Sequence, residues 1–421
     1  MIYKEIKRCR ICGNIHLIPI ISLGDQALTG IFPKNEKDKV SVKPLELVKC
    51  DEINEDCCGL VQLRHNMDPE EMYGENYGYR SGLNNSMVEH LRNKVNKILK
   101  IVKLSQEDMI IDIGSNDSTL LQFYPKNLTL LGIDPTGKKF KAYYPEHIQL
   151  IPDFFSDKII KEKFGDKKAK VITSIAMFYD LEDPTSFMKQ IYNVLDDAGV
   201  WVFEQSYMPT MLEKTSYDTI CHEHLEYYRF KQIKWMADKV GFKIVDVEFN
   251  DINGGSFSIT VAKKESAYEE NMELTDKILK EEKDKGLATL KPYEEFKNKT
   301  YKHREELVKL LEELNKKGKK VFGYGASTKG NVILQFCNIT KKHIPFIAEV
   351  NPDKFGSYTP ATNILIISEK EAKNMNPDYF LVLPWHFREF ILKKEEKYIQ
   401  EGGKLIFPLP SLEIVQKQQS K

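Results

Sequence analysis

Apolar positions change their period along the middle of the chain. From Ser86 to Leu104, MVEHLRNKVNKILKIVKL spaces apolar residues three and four apart, which predicts an amphipathic helix. It runs into MIIDIG, a compact apolar run ending in glycine, the pattern of a strand buried on both faces. LTLLGIDP, KVITSIAMF and GVWVFEQS repeat that pattern, separated by polar, helix-compatible stretches such as DPTSFMKQIYNVLDDA. Alternating strand and helix signals predict an open, mostly parallel α/β sheet. The series ends differently. FKIVDVEFN and SFSITVAKK are joined by a short turn containing Gly254 and Gly255, too short for a parallel crossover, so they must form an antiparallel hairpin.

On either side the pattern changes. Residues 1–75 hold short strand-like runs, LELVKC and CGLVQL, and form a first module. Residues 76–264 make the α/β unit. Residues 265–319 are rich in Lys and Glu with apolar positions at helical spacing (LVKLLEELNKKGKK), a helical connector with solvated faces. Residues 320–421 open with KVFGYGASTKGN, a strand, a glycine-containing turn and a helix start. With IPFIAEV, YFLVLP and KLIFPLP they make a second Rossmann-like α/β unit, although no internal repeat is visible in the residues themselves.

Composition narrows the function. Lys+Arg and Asp+Glu are both 62, so no bulk field favours nucleic acid or an anionic membrane. No apolar run approaches the roughly 20 residues that span a bilayer, and the first residues do not read as a signal peptide. A cytoplasmic protein is expected, where thiols stay reduced. Five of the seven cysteines fall within the first 58 residues, and clustering in that setting points to metal.

Cys9 and Cys12 form a C-x-x-C knuckle followed by Gly13, with Cys50 and Cys58 about forty residues on, the grouping of structural zinc. Cys57 competes with Cys58 for the fourth place. An α/β sheet closed by an antiparallel hairpin is the usual shape of class I methyltransferases, which makes S-adenosylmethionine the expected cofactor. Its turn is IIDIGSNDSTLL: Asp112 ends the strand, Gly114 lets backbone approach a ligand, and Asn116 and Ser118 stand where glycine often recurs. Asp134 ends the next strand about twenty residues later, where a carboxylate can accept from ribose hydroxyls. Asp153 and Phe154 follow where an adenine would meet a carboxylate and an aromatic face, although a core aromatic is an equal reading of Phe154. The densest polar cluster is TSYDTICHEHLEYY, residues 215–228. His222 and His224 are too close for an i, i+4 zinc helix, so a general base with an orienting carboxylate is the better reading, a structural histidine the alternative.

In order along the chain, CRICG, SLGDQALTGIF, CGLVQL, YGYRSGLNNSMVEHL, IDIGSNDSTLL, DTICHEHLEYY, NGGSFSI, GYGASTKGN and LPWHFREF resemble the bacterial nucleotide-sugar C-methyltransferases over nearly the whole chain. That resemblance implies a zinc-binding module, a class I methyltransferase domain, a C-terminal α/β domain and a nucleotide-linked 4-keto-6-deoxyhexose as substrate. It implies that His224 is the base, Glu223 its neighbour and Tyr79 a tyrosine reaching the sugar, with His222 and Cys221 in the same set. Two departures stand out. Cys221 replaces a tyrosine before HEH, and Ala176 and Asp180 replace an Asn and a His that commonly face the sugar; Tyr179 offers a substitute hydroxyl. O-methylation of a hydroxyl with His224 as base therefore competes, and a non-catalytic nucleotide-binding protein is the alternative from another class. In the C-terminal unit, the turn Gly323 to Gly330, with Gly325, Lys329 and Asn331, is expected to hold the donor's diphosphate. No acidic residue follows it at the ribose spacing, Glu349 coming closest.

Overall fold

The computed structural model describes residues 3–72 and 79–417. The expected boundary at residues 75–76, and Tyr77 and Gly78 of the YGYRSG motif, lie outside them. The N-terminal module contains β1 (Lys4–Glu5), β2 (Leu17–Ala27), β3 (Val42–Cys50), β4 (Val61–Leu63) and β5 (His65–Asn66), with β1 paired to β5. The longest of these, β2, has a bulged register against β3 and an irregular burial pattern, which explains why no alternation announces it.

The amphipathic helix forms at Asn85–Ile101, capped by Asn84, whose side chain accepts from the Ser86 N–H. Its buried face is Met87, Leu91, Lys94, Val95 and Ile98. The next five strands are β6 (Met109–Ile113), β7 (Thr129–Ile133), β8 (Ile148–Ile151), β9 (Ala169–Ile175) and β10 (Leu195–Ser206). The polar cluster then contributes β11 (Glu226–Tyr227) to a different sheet, and β12 (Phe242–Asn250) and β13 (Ser256–Lys263) form the expected hairpin. The seven-stranded order is β12-β13-β10-β9-β6-β7-β8, with β13 antiparallel to both neighbours and the other pairings parallel. This is the class I methyltransferase order. Every residue of β6 is buried, as its unbroken apolar run requires.

Helices Met272–Asp284 and Lys291–Lys316 follow, the second burying Tyr293, Phe296, His303, Leu307, Leu311 and Leu314 along one stripe. The C-terminal sheet contains β14 (Val321–Tyr324), β15 (Phe346–Glu349), β16 (Leu365–Ser368), β17 (Tyr379–Val382), β18 (Lys404–Phe407) and β19 (Glu413–Val415). Its order is β16-β15-β14-β17-β18-β19, parallel except for β19. Both large sheets therefore reverse their winding beside the first strand, which opens a crevice at β6/β9 and another at β14/β17.

Candidate active site

The cysteine module comes first in the chain. The Sγ atoms of Cys9, Cys12, Cys50 and Cys58 lie within 4.8 Å of one another. Cys9 and Cys58 are 3.4 Å apart, Cys12 and Cys50 3.5 Å. Tetrahedral zinc, with Zn–S near 2.3 Å, requires sulfurs roughly 3.8 Å apart, so the four thiolates fit the ion and leave it no open position. Asn14 donates to Cys50 Sγ at 3.4 Å, as an outer-sphere group would. Cys57 is also buried but stands outside this set, so Cys58 is the fourth sulfur.

At the crevice beside β6, Gly114 turns the chain at φ 73° and donates its N–H to Ile133 O at 2.8 Å. A Cβ there would press Met177 at 3.1 Å. Asn116 and Ser118 adopt φ 49° and 63°, so they take up the left-handed conformation that glycine would supply. Asp134 accepts from Asn116 N at 2.7 Å and from Thr136 N at 2.7 Å, which fixes its carboxylate on the turn. Asp112 accepts from Thr173 Oγ1 at 2.6 Å, and burial lifts its carboxyl to about 7. Asp153 accepts from the Phe154 N–H at 2.7 Å. Phe154 is 48% exposed, which removes the core-aromatic reading. The stretch before the first helix lies on the same turn. Asn116 donates to Tyr79 O (3.2 Å) and accepts from Ser81 N (3.0 Å), and Asp117 accepts from Gly82 N (2.9 Å). Tyr79, whose carbonyl meets this turn, is 46% exposed as a residue.

The HEH segment separates its members. His224 Nδ1–H donates to Thr219 O at 2.8 Å, because a carbonyl can only accept. That bond fixes the tautomer and leaves the lone pair on Nε2. The Tyr179 ring packs on the imidazole, centroids 4.2 Å apart. Burial, and then the Lys329 charge, hold His224 neutral by pushing its pKa down to about 3. His222 is fully buried, its Nε2–H donates to Lys43 O in β3 at 3.2 Å, and its Nδ1 has no partner among the described residues. Cys221 is 1% exposed, and its thiol is pushed well up by burial and by the Glu223 carboxyl beside it. Glu223 in turn approaches the module, where a Cβ at Gly30 would meet its Oε1 at 2.8 Å. Ala176 has φ 55°, a conformation asparagine tolerates better than alanine, and donates to Glu204 O at 2.7 Å. Asp180 lies in the short turn Phe178–Asp180 beside Tyr179.

Lys329 reaches across from the helix Thr328–Phe336. Its ammonium donates to Asn253 O in the β12–β13 turn at 2.5 Å, and burial lowers its pKa, opposed by Asp218. Asp218 is fully buried and accepts from Trp385 Nε1 at 2.7 Å. A Cβ at Gly254 would meet Trp385 at 3.5 Å and His386 at 4.0 Å. Sequence reasoning missed Asp218, Asn253, Trp385 and His386 as one group. Their motifs were visible, but nothing local pairs positions that lie tens of residues apart, 167 in the case of Asp218 and Trp385. Gly325 has φ 82° and a Cβ there would strike Pro384 at 2.7 Å, so close packing requires glycine. Asn331 is 1% exposed and its Nδ2 donates to Thr29 O at 2.8 Å, which joins two units, while its Oδ1 has no partner among the described residues.

Glu349 requires correction. It accepts from Ala326 N at 2.8 Å and from Val350 N and Asn351 N at 2.7 and 2.8 Å, while Gly325 N donates to Ala348 O at 2.8 Å. An acidic residue therefore occupies, on the second turn, the place Asp134 takes on the first. The longer glutamate side chain reaches back over a turn whose spacing in sequence is different.

Three family models match consecutive parts of the chain: "Putative zinc binding domain" over 9–73, "Methyltransferase domain" over 85–247 and "C-methyltransferase C-terminal domain" over 251–410. C-methyltransferase NovU of Streptomyces niveus is 27% identical over 420 residues, 98% of each chain. Among solved structures, an S-adenosylmethionine-dependent methyltransferase from Clostridium acetobutylicum aligns with 42% of this chain and 92% of its own at 12% identity and a TM-score of 0.33. With a sulfur cluster fit for zinc, a sheet of class I order and these three models in sequence, the chain belongs to the S-adenosylmethionine-dependent C-methyltransferases that carry an N-terminal zinc-binding domain.

Proposed function

We propose that the enzyme methylates C3 of a 4-keto-6-deoxyhexose carried on a nucleoside diphosphate, with His224 as general base. The observation that carries this is His224 itself: a neutral imidazole, its Nδ1–H held by Thr219 O, with a lone pair left on Nε2. In this reading Nε2 takes the C3 proton, which the adjacent carbonyl acidifies, and the bond's electrons pass to the C4 oxygen as an enolate. Bound S-adenosylmethionine supplies the electrophilic methyl, which C3 takes as the carbon–sulfur bond breaks to a neutral thioether. The buried Lys329 charge that disfavours an imidazolium favours the enolate formed with it. Asp134 would hold the cofactor ribose, with Asp112, Gly114, Asn116, Asp153 and Phe154 around it, and Tyr79 and Tyr179 would flank the sugar.

The second Rossmann-like unit supports a nucleotide on the substrate, since Glu349 and the turn Gly323 to Gly330 offer a ribose carboxylate beside backbone N–H groups. The test is isotopic. In deuterated water, with S-adenosylhomocysteine in place of the methyl donor, the enzyme should exchange the C3 hydrogen of a dTDP-4-keto-6-deoxyhexose. His224→Asn should abolish exchange and methylation together, a loss of about 10²–10⁴-fold. A product with a methoxy signal by NMR, and no exchange at carbon, would refute the proposal.

A further inference from the structure

The HEH segment is anchored in the zinc module's sheet, not in the methyltransferase sheet. Immediately after His224, β11 pairs antiparallel with β4, Glu226 opposite Gln62 and Tyr227 opposite Val61, and Leu63 N donates to Leu225 O at 2.9 Å. His222 is tied to Lys43 O in β3. On the module side, Arg10 stands inside the knuckle between Cys9 and Cys12. Its Nη1 donates to Leu63 O at 2.7 Å and to Gln62 Oε1 at 3.2 Å, and Nη2 donates to Asn66 Oδ1. Its Nε lies 3.6 Å from Glu226 Oε1, the two side chains 3% and 0% exposed. Neither Glu226 oxygen has a hydrogen-bond partner among the described residues; burial holds this carboxyl well above the usual carboxylate range, and the Arg10 charge is the main influence that opposes it. Displacing Arg10 would leave nothing beside Glu226 to oppose that burial, and would move the Arg10 charge out of the contact it makes there.

We infer that the zinc knuckle sets the position of His224, with Arg10 as the positioning residue that transmits metal occupancy to Glu226 and so to the segment two residues away. The functional weight of this rests on His224 being the base; the mechanical link does not. A knuckle closed on zinc holds the Arg10 backbone between two ligands, and the guanidinium then clamps β4 and β11 together. Opening the knuckle frees Arg10, leaves Glu226 uncompensated and releases the strand that follows the imidazole.

The experiment uses the full chain with isotopically labelled histidine, the His224 ring resonance being assigned with His224→Asn. Withdrawing zinc with a chelator should shift that resonance. The His303 ring, held between Tyr217 Oη and Pro408 O, should not move and so reports that the remaining core is intact. Zinc-loaded Arg10→Met should show the shifted His224 signal already and respond little to the chelator, and Arg10→Lys should restore it in part. In turnover, Arg10→Met should lower kcat at least tenfold with S-adenosylmethionine affinity within twofold. A His224 signal that ignores Arg10→Met, or that follows the chelator equally in that variant, overturns the inference. Should Arg10→Met not fold, zinc-loaded Glu226→Gln should show the same shifted signal, and a His224 resonance unmoved by it overturns the inference equally. Retention of C3 exchange by His224→Asn would remove the base assignment while leaving the resonance result to decide the coupling.

Discussion

At the scale of single residues, His222 and His224 are neutral for the same reason, burial, and do different work because their bonds differ. Burial pushes His222 down to about 4 from an ordinary 6.5, and burial with the Lys329 charge pushes His224 to about 3. The unfolded chain therefore binds more protons than the folded one below about pH 6.5, so this contribution to stability is complete above that pH and is lost as the solution is acidified towards 4 and then 3. Urea unfolding should show a lower midpoint at pH 5 than at pH 7, and His222→Gln should flatten that difference. Ala176 is the opposite case, a residue strained by its backbone. Ala176→Gly should raise stability by about 0.5–1 kcal/mol, read by denaturant titration, because glycine adopts a positive φ without a Cβ clash. Asp134→Ala should weaken S-adenosylmethionine binding by about 1.5–3 kcal/mol in calorimetry, the range for lost bonds to a charged group.

At the scale of elements, two short pieces matter beyond their length. The two-residue strand β11 carries the HEH segment into the module's sheet, and the turn of β12–β13 presents Asn253 O to Lys329 and Gly254 to Trp385. Neither role can be read from period or composition, because a two-residue strand has no pattern and a glycine pair announces a turn without its neighbours. The cysteine spacing, by contrast, was legible, and the structure brings the same four sulfurs together. Cys9→Ser should release about one zinc per chain, measured by elemental analysis, and destabilise the module. Absence of stoichiometric metal in the unmutated protein would contradict the assignment.

At the scale of the molecule, the module, the HEH segment and the C-terminal unit share an interior, while the seven-stranded sheet packs into two further apolar clusters. A single apolar cluster runs from Ile20, Leu45 and Leu47 of the module through Tyr217 and Leu225 of the HEH segment to Leu307, Leu311 and the C-terminal sheet. Asn331 and Gln335 fasten the helix Thr328–Phe336 to the module at Thr29 and Ala27, which places Lys329 beside the HEH segment. Lys329→Ala should raise the KM for a sugar nucleotide about tenfold or more, since it removes a buried cation facing an anionic substrate, with S-adenosylmethionine affinity unchanged. An unaltered KM in steady-state kinetics would withdraw the C-terminal unit from substrate binding.

Although the choice of Cys58 over Cys57 came from the fold, local signals in the chain were enough to determine the sheet with its terminal hairpin, the second α/β unit, three of the four cysteines and the glycine turn followed by Asp134. Each of these is a matter of period or short spacing, and the physics that produces it acts over a few residues. Tertiary structure alone decided which histidine is sealed inside and which is only partly buried, that Glu349 closes over the second turn, that Asn331 ties two units together and that Arg10 meets Glu226. Those outcomes depend on burial and on charges brought together across more than twenty to three hundred residues of chain. A buried carboxylate or imidazole acquires its state from whatever the fold packs against it, and no spacing in the sequence specifies that neighbour.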